Sequence, residues 1–324
     1  MARTPVAVLR RTARPAGSPS EGPSPEPAGG TGWFRRPGRS GRPGRLGRSK
    51  RTRQLHGGPL VYLILGFATL LSVFPFYWSI VAATRSNAEI NHVPPPFTPG
   101  GNLLGNFDKA LDEADIVQAL INSTIVSVTV AAGTVLCSTL AGFAFAKLRF
   151  RGRGILLGIT VATMMIPPQL GLIPLFMIMA KLEWVNQLQA VILPTLVTAF
   201  GVFFMRQYLM EALPDELIEA GRVDGASYAR IFWSIVIPIA RPAMAVLGLL
   251  TFMTTWNDFF WPIIALSSSN PTVQVAINSL GGGYVHDQSI ILAGTLLGTL
   301  PVLVVFGLLG RQIVGGIMQG AVKG

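Results

Sequence analysis

The stretch RQYLMEALPDELIEAGRVDGASYARIFWSIVIPIAR, residues 206–241, lies between two long apolar segments and is the longest polar interruption in the C-terminal half of the chain. Its acids are Glu211, Asp215, Glu216, Glu219 and Asp224, so residues 211–224 hold five carboxylates against the single cation Arg222. That local acidity sits in a chain whose formal net charge is +11. The local chemistry predicts two short helices joined by a turn. Pro214 suits the first turn of a helix, and Asp215 and Glu216 just after it complement the positive end of the helix dipole. Asp224-Gly225 is a turn signal, with a glycine that permits positive φ or close approach by another chain. Ser227 suits the N-cap of the second helix, which the pattern ends near Pro238. Turn chemistry alone leaves open a solvated helix pair that merely joins two spans.

The sequence around this loop is that of a polytopic membrane protein. Half of the residues are hydrophobic, 13% are charged and the mean hydropathy is +0.50, which separates the chain from soluble two-domain proteins of similar length. Six apolar segments, at about 59–82, 121–146, 155–180, 187–205, 242–266 and 289–310, each approach or exceed the roughly 20 residues that cross about 30 Å of hydrocarbon as helix. Six transmembrane helices in an all-α fold is the simplest count.

Basic residues set the orientation. Residues 1–58 alone carry 13 Lys or Arg, with 8 Pro and 11 Gly. Such a segment buries too little apolar surface to offset chain entropy and is expected to be disordered. Its arginines raise nucleic-acid binding as one reading, but the interleaved aromatics stop at Trp33 and Phe34. A cytoplasmic tail near anionic lipid fits better, and no nucleic-acid partner is expected. Without the tail, the same side of the membrane still receives ten cations. They are Lys147, Arg149, Arg151, Arg153, Arg206, Arg222, Arg230, Arg241, Arg311 and Lys323, against Arg85, Lys109 and Lys181 on the other side. The positive-inside rule then predicts both termini, and the acidic loop, in the cytoplasm.

With the loop assigned to the cytoplasm, its spacing resembles the EAA loop of membrane subunits of ATP-binding-cassette importers. Glu219-Ala220-Gly221, Asp224-Gly225-Ala226 and Ile235-Val236-Ile237-Pro238 follow that family's E-A-A, D-G-A and I-x-L-P blocks in order. Gly221 departs from the usual alanine, at a helix cost of about 1 kcal/mol. AFAKLRFRGR at 144–153 and the run from Met164 to Pro174 are similar to carbohydrate-uptake permeases of the maltose-transporter type. The resemblance covers roughly residues 59–318.

It implies a type I importer permease with a six-helix domain over 59–318, the coupling loop at 206–241 and a short C-terminal tail at 319–324. The coupling residues it implies are Glu219, Ala220, Gly221, Asp224, Gly225 and Ala226. The implied partners are a separate ATPase subunit, a second homologous permease chain and an extracytoplasmic solute-binding protein, all at a bacterial or archaeal cell membrane. No cofactor is expected in this chain. ATP and Mg²⁺ are expected on the ATPase, and none of the five lysines here stands in a P-loop.

Other stretches carry alternatives. Pro167, Pro168 and Pro174 interrupt the third apolar segment and Pro194 the fourth, giving either plain kinks or broken helices along a translocation path. Asp258, in TTWNDFFWP (254–262), is the only charged residue inside an expected span and should face a cavity or a partner helix. Trp256, Asn257, Asp258 and Trp261 form a possible substrate path by stacking and hydrogen bonding to a sugar, or else an aromatic belt at the outer interface. Residues 106–120 show helical spacing through Leu111, Ala114, Val117 and Leu120, as an interfacial spacer or an external contact. Asn122-Ser123-Thr124 opens a small-residue span, and Gly294 with Gly298 predicts close packing of another helix. Gly281-Gly282-Gly283 is expected to be a flexible outer loop.

Several functions lose support. The single cysteine, Cys137, lies in an apolar segment and reads as a packing residue. The histidines His56, His92 and His286 are too dispersed for a metal site. An enzyme lacks a visible nucleophile or acid pair. An ion-gradient-driven secondary transporter is the alternative, with Asp258 as the one acid available to it.

Overall fold

The computed structural model describes residues 58–282 and 286–321, the last thirteen of these by backbone alone. The basic tail except Gly58, Gly283 of the glycine loop, and the last three residues of the C-terminal tail lie outside the described residues.

Among the described residues every regular element is helical. Five helices, or runs of helix, are long and apolar enough to cross a membrane: Pro59–Ala83, Ile116–Lys147, Leu188–Ala212, Tyr228–Trp256 and Gln288–Leu308. A sixth candidate is a pair of helices, Arg153–Thr163 and Pro168–Lys181, bent by 94°. In chain order the helices are α1 (Pro59–Ala83), α2 (Asn87–Ile90), α3 (Leu103–Ala114), α4 (Ile116–Lys147), α5 (Arg153–Thr163), α6 (Leu172–Lys181) and α7 (Leu188–Thr195). They continue as α8 (Ala199–Ala212), α9 (Asp215–Val223), α10 (Tyr228–Ile231), α11 (Ile237–Trp256), α12 (Phe260–Ala265), α13 (Val273–Leu280) and α14 (Gln288–Ala321).

α4 is the centre of the bundle and packs most extensively on α8 and α11, then on α7 and α13. Its inward face is small and hydroxylic, with Asn122, Ser123, Ser127, Thr134, Ser138, Thr139 and Gly142 all buried, as expected of residues that let helix backbones approach. α1 packs on α14 and exposes nearly all the rest of its surface, so lipid or another chain must cover it.

The proline-rich third segment is broken, not kinked. Ile166 precedes Pro167 and Pro167 precedes Pro168, and a residue before proline is driven out of the helical region. Pro167 accordingly has φ −58° and ψ 125°, and a 3₁₀ turn at Pro168–Gly171 re-aims the chain into α6. Pro174 breaks nothing, because it falls in the first turn of α6, where no intrahelical N–H is required.

Three boundaries differ from expectation. The helix after Ser227 does not end near Pro238; it runs on to Trp256. A π turn at Phe232–Val236 stands immediately ahead of Pro238 and widens the helix where the proline ring would otherwise meet the carbonyl one turn back. The fifth span therefore covers 228–256, not 242–266. The helical pattern at 106–120 is divided by Asp115, whose φ is +44°. Leu111 and Ala114 belong to α3, which packs on α14 and α13, while Val117 and Leu120 belong to α4. α3 is thus part of the bundle rather than a helix lying apart on its surface.

Candidate functional site

The acidic loop projects from one end of the bundle and is anchored by few side chains. Pro214 is the residue before α9, and Asp215 and Glu216 occupy the first turn. α9 is amphipathic over nine residues. Ile218 is buried with Leu213, Leu209, Met205, Phe143, Ile231 and Phe232 in the core cluster at this end, whereas Glu219, Ala220, Asp224 and Gly225 are exposed and Gly221 and Ala226 half-buried.

The turn is set by backbone geometry. The N–H of Asp224 donates to Ala220 O (3.0 Å), that of Gly225 to Arg222 O (3.1 Å) and that of Ala226 to Gly221 O (2.9 Å). Gly225 has φ +77°, and a Cβ there would meet nothing within 4 Å. The glycine therefore serves both the left-handed turn and an open approach to it. Ser227 Oγ accepts the N–H of Arg230 at 3.3 Å and caps α10 as expected. Glu219, Ala220, Gly221, Asp224, Gly225 and Ala226, the residues expected to couple, thus lie on one short helix and its C-terminal turn.

Two contacts at this end were not visible in the sequence. Lys147 Nζ, at the last residue of α4, donates to Asp215 Oδ1 at 2.7 Å, with the lysine side chain 9% and the aspartate side chain 72% exposed. This hydrogen bond, the charge of the same ammonium and that of Arg149 hold the Asp215 carboxyl below the usual carboxylate range. Arg222 lies over the ring of Tyr228, 4.4 Å from its centroid. Lys147, Arg149, Asp215, Ile218, Glu219, Arg222, Val223 and Tyr228 enclose a groove of about 500 Å³ between α9 and the end of α4.

The Trp-Asn-Asp block is arranged differently from a stacking platform. Trp256 is 1% exposed and Trp261 5% exposed. The indole of Trp256 donates to Gly298 O at 3.1 Å and that of Trp261 to Ala190 O at 2.9 Å. Both rings are committed to the protein interior, so neither offers a face to a solute or to an interfacial belt. Asn257 is exposed and donates to Met253 O at 2.8 Å. Asp258 is half-buried in the break between α11 and α12. The pair Gly294 and Gly298 admits α13: a Cβ on Gly298 would come within 2.6 Å of Val273 Cγ1.

A hollow of about 490 Å³ lies instead between α4, the break joining α7 to α8, and α11. Val130, Thr195, Thr198, Phe200, Leu250, Thr251, Thr254 and Thr255 line it. Thr198 stands in extended conformation (φ −114°, ψ 138°) and caps α8 by accepting the N–H of Gly201, so the break is real and is bordered by a cavity. Thr251, Thr254 and Thr255 fall at helical spacing on one face of α11, a pattern present in the sequence but unremarkable among its many small polar residues.

No group of three His, Cys, Asp or Glu side chains that could hold a metal occurs among the described residues. Residues 135–313 match the family of binding-protein-dependent transport system inner membrane components. The chain is 34% identical over 263 residues to the lactose transport system permease protein LacG of Rhizobium radiobacter, covering 81% of this chain and 95% of that one. It is also 34% identical to the arabinooligosaccharides transport system permease protein AraQ of Halalkalibacterium halodurans, over 81% and 96% of the two chains. The chain belongs to this permease family. In fold, the permease resembles a chain of a bacterial ABC transporter involved in the import of the acidic polysaccharide alginate, with a TM-score of 0.67 at 22% identity over 78% of this chain and 94% of that one. The permease is thus a multi-pass inner-membrane transport subunit of an ABC importer that works with a solute-binding protein, and it is not itself an enzyme.

Proposed function

We propose that this permease carries a saccharide, as LacG and AraQ do by their names. In this reading ATP and Mg²⁺ act on a separate ATPase subunit that seats on α9, and a second, homologous permease chain completes the path. The chain has both termini in the cytoplasm, consistent with ten cations against three along its described and flanking loops. The observation that carries the coupling role is the geometry of α9. It is held to the bundle by Ile218, while Glu219, Ala220, Asp224 and Gly225 face outward around an open left-handed turn.

Glu219 supplies a carboxylate to a basic groove on the ATPase, Gly225 admits its backbone, and Ala220, Gly221 and Ala226 keep the surface low enough for contact. Closure of the ATPase pair then draws on α9 and alternates access to the hollow between α7–α8 and α11. Asn257 and Asp258 follow Thr254 and Thr255, which line that hollow, and are the residues of the block proposed to meet the solute, with Trp256 and Trp261 buried beside them in sequence. The ion-gradient alternative is set aside because the chain belongs to the permease family of binding-protein-dependent importers.

Isolation of the chain from its own membranes in mild detergent, with cross-linking and mass spectrometry, tests the reading. Cross-links from residues 211–226 to a P-loop ATPase, together with a second multispanning chain, are expected. A chain that purifies alone and still catalyses uptake after reconstitution would sink it.

A further inference from the structure

We infer that Lys147 and Asp215 form a tether through which motion of α9 is delivered directly to α4, making both positioning residues for coupling. The inference rests on the coupling role proposed above.

Covalently, α9 reaches the bundle through α8 on one side and, after the Asp224-Gly225 turn, through α10 and α11 on the other. Both routes reach α4 by the side-to-side packing of helices, since α7, α8, α11 and α13 all pack on it. The Lys147–Asp215 contact adds a direct polar link. It joins the last residue of α4 to the first residue of α9 at 2.7 Å, so a pull on the N-terminus of α9 acts directly on the C-terminal end of α4. Ile218, one turn further on, supports the same region of α9 from the apolar side.

The two ends of the tether are dissimilar, and that asymmetry is informative. Lys147 is nearly buried and its ammonium reaches out at Asp215, while Asp215 is largely exposed. A pair so open to water on one side adds little to global stability. It does fix direction: the lysine stem is held by packing, and the ammonium has a defined acceptor on the moving element. Each charge also suits its helix end, the cation at the C-terminus of α4 and the anion at the N-terminus of α9. Arg149 adds positive charge beside Asp215 without replacing the bond.

The test uses the complex purified with its ATPase and companion permease, reconstituted in lipid nanodiscs. Cys137, the only cysteine of the chain, is replaced by serine. Val197, 60% exposed in the break between α7 and α8, becomes cysteine and is probed with biotin-maleimide, the labelled peptide being identified by mass spectrometry. The readout is the ratio of labelling with ATP and vanadate to labelling without nucleotide, beside the rate of ATP hydrolysis.

Lys147→Met and Asp215→Asn should retain the ATPase subunit and hydrolyse ATP, yet the nucleotide-driven labelling ratio should move about fivefold towards unity. Lys147→Arg and Asp215→Glu, which preserve the charge pair, should keep the ratio. An exchange of the two charges is avoided because it would set both against their helix dipoles. An unchanged ratio in Lys147→Met and Asp215→Asn overturns the tether. Loss of the ATPase subunit from them also overturns it, since the pair would then serve assembly and not transmission. If the unsubstituted pair shows no nucleotide-driven change, the coupling reading itself falls and the tether with it.

Discussion

The indole N–H of Trp261 on α12 donates to the carbonyl oxygen of Ala190 on α7 at 2.9 Å, and Ala190 is the residue whose helical partner would be Pro194. A proline has no N–H to return to the carbonyl four residues back. Pro194 lies inside α7, so its missing donor leaves that oxygen unpaired in an apolar setting until Trp261 fills the position. The tryptophan is a repair to a helix rather than a surface for sugar.

This arrangement predicts a non-additive pair of substitutions. Trp261→Phe keeps the ring but leaves a buried carbonyl without a donor, at a cost of about 1–3 kcal/mol. Pro194→Ala restores an N–H to the ladder, so the double variant Pro194→Ala/Trp261→Phe should be less destabilised than Trp261→Phe alone. Thermal unfolding in one fixed detergent reads the difference. Equal losses in the single and double variants would show that Ala190 O finds another partner.

Gly225 separates backbone strain from close approach. With φ at +77° and nothing within 4 Å of an added Cβ, Gly225→Ala should cost only about 1 kcal/mol locally, from the left-handed backbone. Gly225→Trp projects into the open side and should displace the ATPase subunit, as should Glu219→Ala by removing one side of a charged contact, at about 2–5 kcal/mol. Retention of the ATPase on co-purification, at matched membrane abundance, is the measure. Full retention by both Gly225→Trp and Glu219→Ala would remove α9 from the interface.

Gly221→Ala should stabilise α9. A Cβ at that position meets Ile231 Cγ1 at 3.4 Å and Ile235 Cδ1 at 3.5 Å, which is ordinary contact, and alanine is favoured over glycine in a helix by about 1 kcal/mol. Hydrogen exchange of the amides of Asp215–Val223 should slow relative to the parent. Faster exchange would mean that the two isoleucines cannot accommodate the methyl group.

The pH dependence of α9 follows from Asp215. Its carboxyl is held below the usual range, first by the hydrogen bond from Lys147 and then by that residue's charge. A carboxyl with a depressed folded pKa contributes stability that is fully present above its unfolded value, about 3.9, and is lost as pH falls through the folded one. Protection of α9 amides should therefore be constant at neutral pH and weaken only in acid below the ordinary aspartate range. In Lys147→Met this acid-dependent loss should shrink, because the main cause of the lowered carboxyl pKa is gone. An identical acid profile in both proteins would argue against the ion pair.

Local chemistry foretold local structure well around the loop. Asp215 and Glu216 at the start of α9, the left-handed turn at Gly225 and the Ser227 cap all depend on neighbours within four residues, so the sequence contained what was needed. Pro238 misled for a reason just as local. A proline reads as a stop unless the preceding turn widens, and the π turn at Phe232–Val236 has no marker in residue types. In TTWNDFFWP, Trp256 and Trp261 read as solute contacts or as an outer aromatic belt, because residue type says nothing about where an indole N–H will find its acceptor. Gly298 is 42 residues from Trp256 and Ala190 is 71 from Trp261.

What the sequence determined by itself is therefore the class, the membrane setting and the helix-turn-helix form of the acidic loop. Hydrophobic length, cation distribution and the E-A-G, D-G-A and I-V-I-P blocks are all short-range properties that survive without knowledge of packing. What only the tertiary structure decided is which groups meet across the bundle: Lys147 with Asp215, Trp261 with Ala190, and the threonines of α7–α8 with those of α11 around one hollow. Those meetings depend on helix rotation and on the angle at each break. In a membrane these are set by the packing of small side chains and by the need of every freed backbone group for a partner, neither of which leaves a periodic trace along the chain.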